Sequence, residues 1–252
     1  MRAIITDLDR TLLYTDKTIS AYTIRVMKKC HDAGILIMAA TARPFRSIEA
    51  YHEQIPFDAV TTLNGAVVLL PKETLNCGIA RESGEQIIAG LLDSPDVFLS
   101  IETSGGLYAN REIPEWNPIV YDKFPQLPED VVLYKILVSS KNEQVYRNVH
   151  NILTADVYHT IATNELIQIM GCEATKWRGI QKMLSHFGIS PEEAVYFGDD
   201  NDDIEPIKMC GLGVAVANAI PEVLKAADQV IESNDRDGVA RFIEETLLQR
   251  GI

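Results

Sequence analysis

The chain opens on a short run with no polar alternation, Ala3-Ile4-Ile5-Thr6, and breaks at once into Asp7-Leu8-Asp9-Arg10-Thr11. A strand that is apolar on both faces fits best where helices cover both sides of a sheet, which is the arrangement of parallel α/β folds. Open sheets of that kind place ligands at the carboxyl ends of their strands, so Asp7 and Asp9 would project into the binding crevice. Two adjacent carboxylates repel each other unless a cation joins them, and oxygen ligands suit a hard divalent ion. An isolated D-x-D-x-T in an acidic chain also reads as a solvated turn, so the rest of the chain has to decide.

The same type of run recurs. Ser20 to Ala33 has Ile24, Met27 and Cys30 at helical spacing, with Ser20 as N-cap and Gly34 as the stop. Ile35 to Ala40 is a second apolar strand and ends at Thr41-Ala42-Arg43-Pro44. A helix is expected from Arg46 to Gln54, and a third strand, Ala59 to Thr62, leads to Leu63-Asn64-Gly65-Ala66. Strand and helix in alternation predict a right-handed parallel sheet.

From about Arg81 the rhythm changes. The expected elements are a helix (Glu85 to Leu92), a hairpin (Val97 to Glu102 with Gly106 to Asn110) and an irregular passage from Ile113 to Pro128. A strand (Leu133 to Ser139), a helix (Glu143 to Leu153) and two strands (Ala155 to Ala162, Leu166 to Met170) follow. Their alternation suits an antiparallel sheet with one wet face. The parallel pattern then resumes with a helix (Thr175 to Phe187) and a strand (Ala194 to Phe197) that ends in Gly198-Asp199-Asp200-Asn201-Asp202-Asp203. The remaining expectations are helices at Ile204 to Cys210, Pro221 to Ala226 and Asp237 to Gln249, and strands at Gly213 to Val216 and Gln229 to Ile231. The reading is an α/β fold in which a Rossmann-like parallel-sheet core, 1–80 and 173–252, is interrupted by an inserted α+β domain, 81–172.

Composition limits the function. With 252 residues, 46% apolar and 23% charged, the chain can bury a sizeable core as an ordinary globular protein. A formal net charge of −13 offers no basic patch to displace counterions from nucleic acid. It does not exclude a small phosphorylated ligand, because a metal and a few placed cations can reverse the local field. No apolar run is long enough to cross a bilayer, and the N-terminus enters a strand without a leader pattern, so the expected location is the cytoplasm. Cys30, Cys77, Cys172 and Cys210 lack C-x-x-C spacing and are expected to be free thiols.

Four polar clusters thus fall at core strand ends or at the helix entrances facing them: Asp7/Asp9/Thr11, Thr41/Ala42/Arg43, Thr175/Lys176, and Asp199 through Asp203. Their residue types suit phosphoryl transfer, which needs a nucleophile in line, charge neutralisation and donors around the equatorial oxygens. An aspartate can attack phosphorus, a second carboxyl can shuttle the proton, and Thr41 and Lys176 can hold phosphate oxygens. Gly211-Leu212-Gly213 fails as a dinucleotide fingerprint because it precedes a strand, and no P-loop motif occurs.

In this order the residues resemble the haloacid dehalogenase superfamily of aspartate-nucleophile phosphatases, whose motifs appear as Asp7-Leu8-Asp9-Arg10-Thr11, Thr41, Lys176 and Gly198 to Asp203. The position of the insertion, Asn64-Gly65-Ala66, Ala217-Asn218-Ala219 and Asn234 to Ala240 resemble the Cof-like branch with its C2-type caps. The resemblance implies a Mg²⁺-dependent phosphatase acting on small phosphorylated metabolites, sugar phosphates above all, through an aspartyl-phosphate. It implies Asp7 as nucleophile and metal ligand, and Asp9 as general acid/base that lends its backbone carbonyl to the metal. Asp199 would complete the metal site, with Asp203 supporting the metal or the lysine. Thr41, the Ala42 amide, Asn64, Lys176 and Asp202 would face the phosphate. Arg10, Ala42 and Trp177 stand where glycine is usual, and Asp202 where asparagine is usual. In the insertion, Tyr108, Arg111, Trp116, Lys135 and His159 are candidates to touch substrate, with Arg111 foremost. The rival readings are a phosphomutase, a non-catalytic phosphate sensor and a D-x-D glycosyltransferase, the last offering no reason for Lys176 or Asp199. Substrate identity and oligomeric state are not legible at this level.

Overall fold

The structure, a computed structural model, describes residues 1–94, 96–114, 116–161 and 166–248. The chain divides into two compact units, residues 1–75 with 175–252, and residues 76–174.

The first unit begins with β1 (Ala3–Thr6), α1 (Ala21–Asp32), β2 (Leu36–Ala40), α2 (Glu49–His52), β3 (Ala59–Thr62), β4 (Val67–Leu70) and β5 (Glu73–Asn76). The second contributes α3 (Arg81–Leu92), β6 (Phe98–Thr103), β7 (Gly106–Ala109), β8 (Ile119–Val120), β9 (Leu133–Ser139), α4 (Glu143–Ile152), β10 (Val157–Ile161) and β11 (Ile167–Gly171). The first unit resumes with α5 (Lys176–His186), β12 (Ala194–Gly198), α6 (Ile204–Met209), β13 (Leu212–Val216), α7 (Pro221–Ala226), β14 (Gln229–Ile231) and α8 (Gly238–Phe242).

Eight strands form the sheet of the first unit in the order β14-β13-β12-β1-β2-β3-β4-β5. Every neighbouring pair from β14 to β3 is parallel, with β1 central between β12 and β2. Ile4, Ile5, Ile37, Met38, Val195, Tyr196 and Phe197 are fully buried, as runs apolar on both faces require. Ser20 caps α1 by accepting from the Thr23 N–H at 2.9 Å, and Thr175 caps α5 by accepting from the Arg178 N–H at 3.2 Å.

Three expectations are corrected. The sheet is not wholly parallel, because β4 returns antiparallel on β3. The reversal uses three successive left-handed residues, Leu63 (φ 51°), Asn64 (φ 58°) and Gly65 (φ 100°). The helix expected from Arg46 to Gln54 is broken into a turn at Phe45–Ser47 and the short α2, because fully buried Ile48 leaves helical geometry at φ −121°. The closing helix gives way after Phe242 to wider turns over Ile243–Leu248. The expected ends at Ala162 and Gln249 lie outside the described residues.

The sheet of the second unit runs β10-β11-β9-β6-β7-β8, antiparallel except at the β7–β8 pair. Ile87, Ile88 and Leu91 of α3 and Val145 and Val149 of α4 form one core with Leu99, Ile101, Ile136, Val138, Ile167 and Ile169. Alternation sends Ser100, Glu102, Lys135 and Gln168 to the opposite face. Among the described residues no helix is long and apolar enough to cross a membrane. All four cysteines are free thiols.

Candidate active site

The first unit carries the candidate site at the carboxyl ends of its parallel strands. β1 delivers Asp7, whose N–H continues the ladder to the Phe197 carbonyl at 2.9 Å. Residues 8–12 then make one wide turn closed by the Leu13 N–H on the Leu8 carbonyl at 2.8 Å, with Arg10 left-handed at φ 57°. On the other side of β1, β12 ends at Gly198, where a Cβ would come within 2.4 Å of the Asp203 Cβ. Only glycine lets the loop fold back so far.

Asp203 organises that loop. Fully buried, it accepts from Lys176 Nζ and from the Tyr196 hydroxyl at 2.6 Å through one oxygen. Its other oxygen accepts from the N–H groups of Asp199 at 2.9 Å and Asp200 at 3.0 Å. With both oxygens so occupied, Asp203 serves the lysine and the loop more directly than an added ion. Lys176, the first residue of α5, also lies 3.1 Å from Asp7 Oδ1. A cation at a helix N-terminus opposes the helix dipole, and the two carboxylates offset that.

Asp7, Asp199 and Asp203 each offer an oxygen within 4.8 Å of the others, and all three are buried. Asp199 also accepts from the Thr11 hydroxyl at 2.8 Å. Burial, followed by the charge of Asp203, pushes the Asp199 carboxyl up to about 6, against the pull of Thr11 and Lys176. Asp7 is held well above the ordinary carboxylate range, first by burial and then by Asp203 and Asp199, with Lys176 pulling the other way. Burial would lower the lysine, but Asp203, Asp7 and Asp202 outweigh it and keep Lys176 firmly protonated. Three buried carboxylates against one ammonium leave the cluster short of positive charge. A hard cation on Asp7 and Asp199 would supply it, and the all-oxygen donor set fits one.

Asp9 sits differently. Its side chain is 42% exposed, and its two oxygens accept from Arg43 Nε at 2.6 Å and Nη2 at 2.5 Å. Such a bidentate pair fixes orientation as well as position. Thr41 is buried at the end of β2, donates its N–H to the Thr61 carbonyl at 2.9 Å and accepts the Arg43 N–H at 3.2 Å. Asn64 hydrogen-bonds Asp202. Gly65 beside it is obligatory, since a Cβ would lie 2.0 Å from the Thr175 carbonyl oxygen.

Sequence reasoning gave no role to Arg43, Tyr196 or Thr11. Arg43 and Thr11 lay inside clusters already singled out, whereas Tyr196 read as one more core aromatic. Trp177, odd where glycine is usual, is 4% exposed and packed in the core. In the second unit, Arg111 stacks on the Phe98 ring with its guanidinium carbon 4.6 Å from the centroid, and buried Lys135 donates to Gln168 at 3.0 Å.

The model of the haloacid dehalogenase-like hydrolases matches residues 4–243, and the chain belongs to that family. Within it the chain is a Cof-like phosphatase, a phosphoric monoester hydrolase. The 5-amino-6-(5-phospho-D-ribitylamino)uracil phosphatase YitU of Bacillus subtilis (strain 168) is 29% identical over 95% of each chain. Among solved structures, a haloacid dehalogenase-like hydrolase from B. subtilis superimposes with a TM-score of 0.84 at 19% identity, covering 98% of this chain and 100% of its own. The subclass IIB sugar phosphatase BT4131 gives a TM-score of 0.78 at 20% identity, covering 97% and 98%.

Proposed function

We propose that the chain is a cytoplasmic, Mg²⁺-dependent phosphatase that hydrolyses small phosphorylated metabolites, sugar phosphates foremost, through an aspartyl-phosphate on Asp7. The observation that carries this reading is the buried group of Asp7, Asp199 and Asp203 around Lys176, a nucleophile and a charge-deficient pocket at one sheet edge. The sugar phosphatase neighbour and the phosphatase relative support the substrate class. Four free thiols suit a reducing compartment.

An oxygen of Asp7 attacks phosphorus as the bond to the leaving oxygen breaks. Thr41, the Ala42 amide and Lys176 hold the transferring group, while Asp9 as a carboxylic acid gives its proton to the departing alkoxide. Asp9, now a carboxylate, then takes a proton from water as that water attacks phosphorus, which frees phosphate and restores Asp7. Because both Asp9 oxygens face Arg43, each proton transfer requires Asp9 to exchange one of those contacts for substrate or water. Mg²⁺ on Asp7, Asp199 and the Asp9 carbonyl, with Asp203 behind them, would neutralise the carboxylates and the phosphate oxygens. Residues 81–172 are assigned to substrate selection, with Arg111 as a contact.

The test is phosphate release from a panel of phosphorylated metabolites, with and without EDTA. Mg²⁺-dependent release from at least one sugar phosphate is expected. Hydrolysis that survives metal removal would overturn the metal assignment, and no hydrolysis across the panel would overturn the substrate class.

A further inference from the structure

Asp202 stands where three loops of the site meet. It accepts from the Asn64 side-chain amide. Asn64 in turn donates its backbone N–H to the Thr41 carbonyl at 3.1 Å, and Leu63 donates to the Arg43 carbonyl at 3.0 Å. Gly65, the next residue, lies flush against the Thr175 backbone where α5 and Lys176 begin. Asp202 therefore ties the loop after β12 to the loops that carry Thr41 and Lys176, and its charge acts on Lys176 after those of Asp203 and Asp7.

The turn at Asp202's own loop is capped by Asp200 and Asp203, and the buried carboxylate group forms from Asp7, Asp199 and Asp203. Two physical consequences follow from the presence of Asp202. A carboxylate only accepts, so Asn64 must turn an N–H toward it, and that N–H is withheld from an incoming anion. A fourth negative charge also stands by the buried ammonium that would otherwise attract phosphate most strongly. At an effective dielectric near that of a protein surface, one nearby unit charge changes anion affinity on the order of tenfold.

We propose that Asp202, held by Asn64, is a specificity-determining residue that weakens the grip of the Thr41–Lys176 pocket on the phosphate dianion. Inorganic phosphate then leaves readily, and ground-state binding has to come from the uncharged, hydroxyl-bearing remainder of a phosphate monoester. Weak ground-state binding leaves more of the available interaction for the transition state. The inference rests on the phosphatase reading above.

Titration calorimetry with inorganic phosphate and MgCl₂ tests it, alongside steady-state kinetics on one sugar phosphate. Asp202→Asn is expected to bind phosphate about tenfold more tightly, equivalent to ~1.4 kcal/mol. Its KM should fall by more than its kcat changes. Asp202→Glu, which keeps the charge, should bind phosphate less tightly than Asp202→Asn, and Asn64→Ala should not tighten phosphate. Asp202→Ser carries the same expectation as Asp202→Asn and serves if the latter melts early. Phosphate binding by folded Asp202→Asn no tighter than wild type, in an enzyme whose wild type hydrolyses the ester, overturns this inference alone. A wild type that neither binds phosphate nor hydrolyses any ester overturns the phosphatase reading with it.

Discussion

The two sheets of this protein handle buried polar groups in opposite ways. In the eight-stranded sheet the buried strand residues carry no charge, being apolar apart from Thr6, Thr61 and Thr62, and the ionisable residues Asp7, Lys176, Asp199 and Asp203 collect at one edge. In the six-stranded sheet Ser100, Glu102 and Lys135 are buried in the strands themselves and share a face with Gln168. Parallel strands all end on the same side, so connecting loops far apart in sequence converge there. Antiparallel strands alternate direction and cannot gather their ends, but period-two alternation lines polar residues across a face. The first arrangement concentrates charge at a point, and the second spreads it.

The sharpest way to break this comparison is to remove the nucleophile proposed at the edge. Asp7→Asn should lower kcat by about 10⁴-fold with the fold intact, read by phosphate release and by melting. Activity near wild type would show that the edge is not the reacting centre.

Asp9→Asn tests the division of labour within the edge. It should lower kcat on an alkyl phosphate by about 10³-fold. The loss should be much smaller with p-nitrophenyl phosphate, whose leaving group needs no proton. Equal losses on both would remove Asp9 as the proton donor.

On the face, Glu102 lies directly opposite Lys135 in the β6–β9 register. Lys135→Met would leave a buried carboxylate without its facing ammonium and should cost about 3 kcal/mol of stability, measured by denaturant unfolding. A change below the error of that measurement would mean the face tolerates its charge alone.

The edge also predicts a pH dependence. The folded Asp199 carboxyl sits at about 6 rather than its ordinary 3.8, so the folded state holds the proton more tightly than the unfolded chain. In EDTA-treated protein its contribution therefore falls as pH rises from about 4 to 6 and stays low above that. Mg²⁺ should raise Tm more at pH above this window than below it. A Tm gain from Mg²⁺ that does not vary with pH would separate the ion from Asp199.

The smallest expected effect is at Arg10. Its φ of 57° favours glycine, but glycine also loosens the unfolded chain, so Arg10→Gly should move stability by less than about 1 kcal/mol either way.

Much of the edge was legible because each cluster is contiguous in sequence and directly follows a strand or opens a helix. Asp7-Leu8-Asp9, Thr41, Lys176 and Gly198 to Asp203 announce themselves through apolar runs that stop at polar residues. The pairings between clusters were not legible. Nothing local says that Arg43 holds Asp9, that Tyr196 donates to Asp203, or that Asn64 meets Asp202. The antiparallel β4 was missed as well, because its reversal depends on left-handed φ at Leu63, a residue type that does not signal it.

The sequence by itself determined the alternation of strand and helix, the interruption of the parallel pattern and the residue types at each strand end, since periodicity and capping are local. Only the tertiary structure decided that Asp7 and Asp203 share Lys176, with Asp199 beside them, while Asp9 turns to Arg43. That partition follows from long-range closure of the sheet, which brings Asp7 and Asp203 onto Lys176, sets Asp199 within 4.8 Å of both carboxylates and buries the group together.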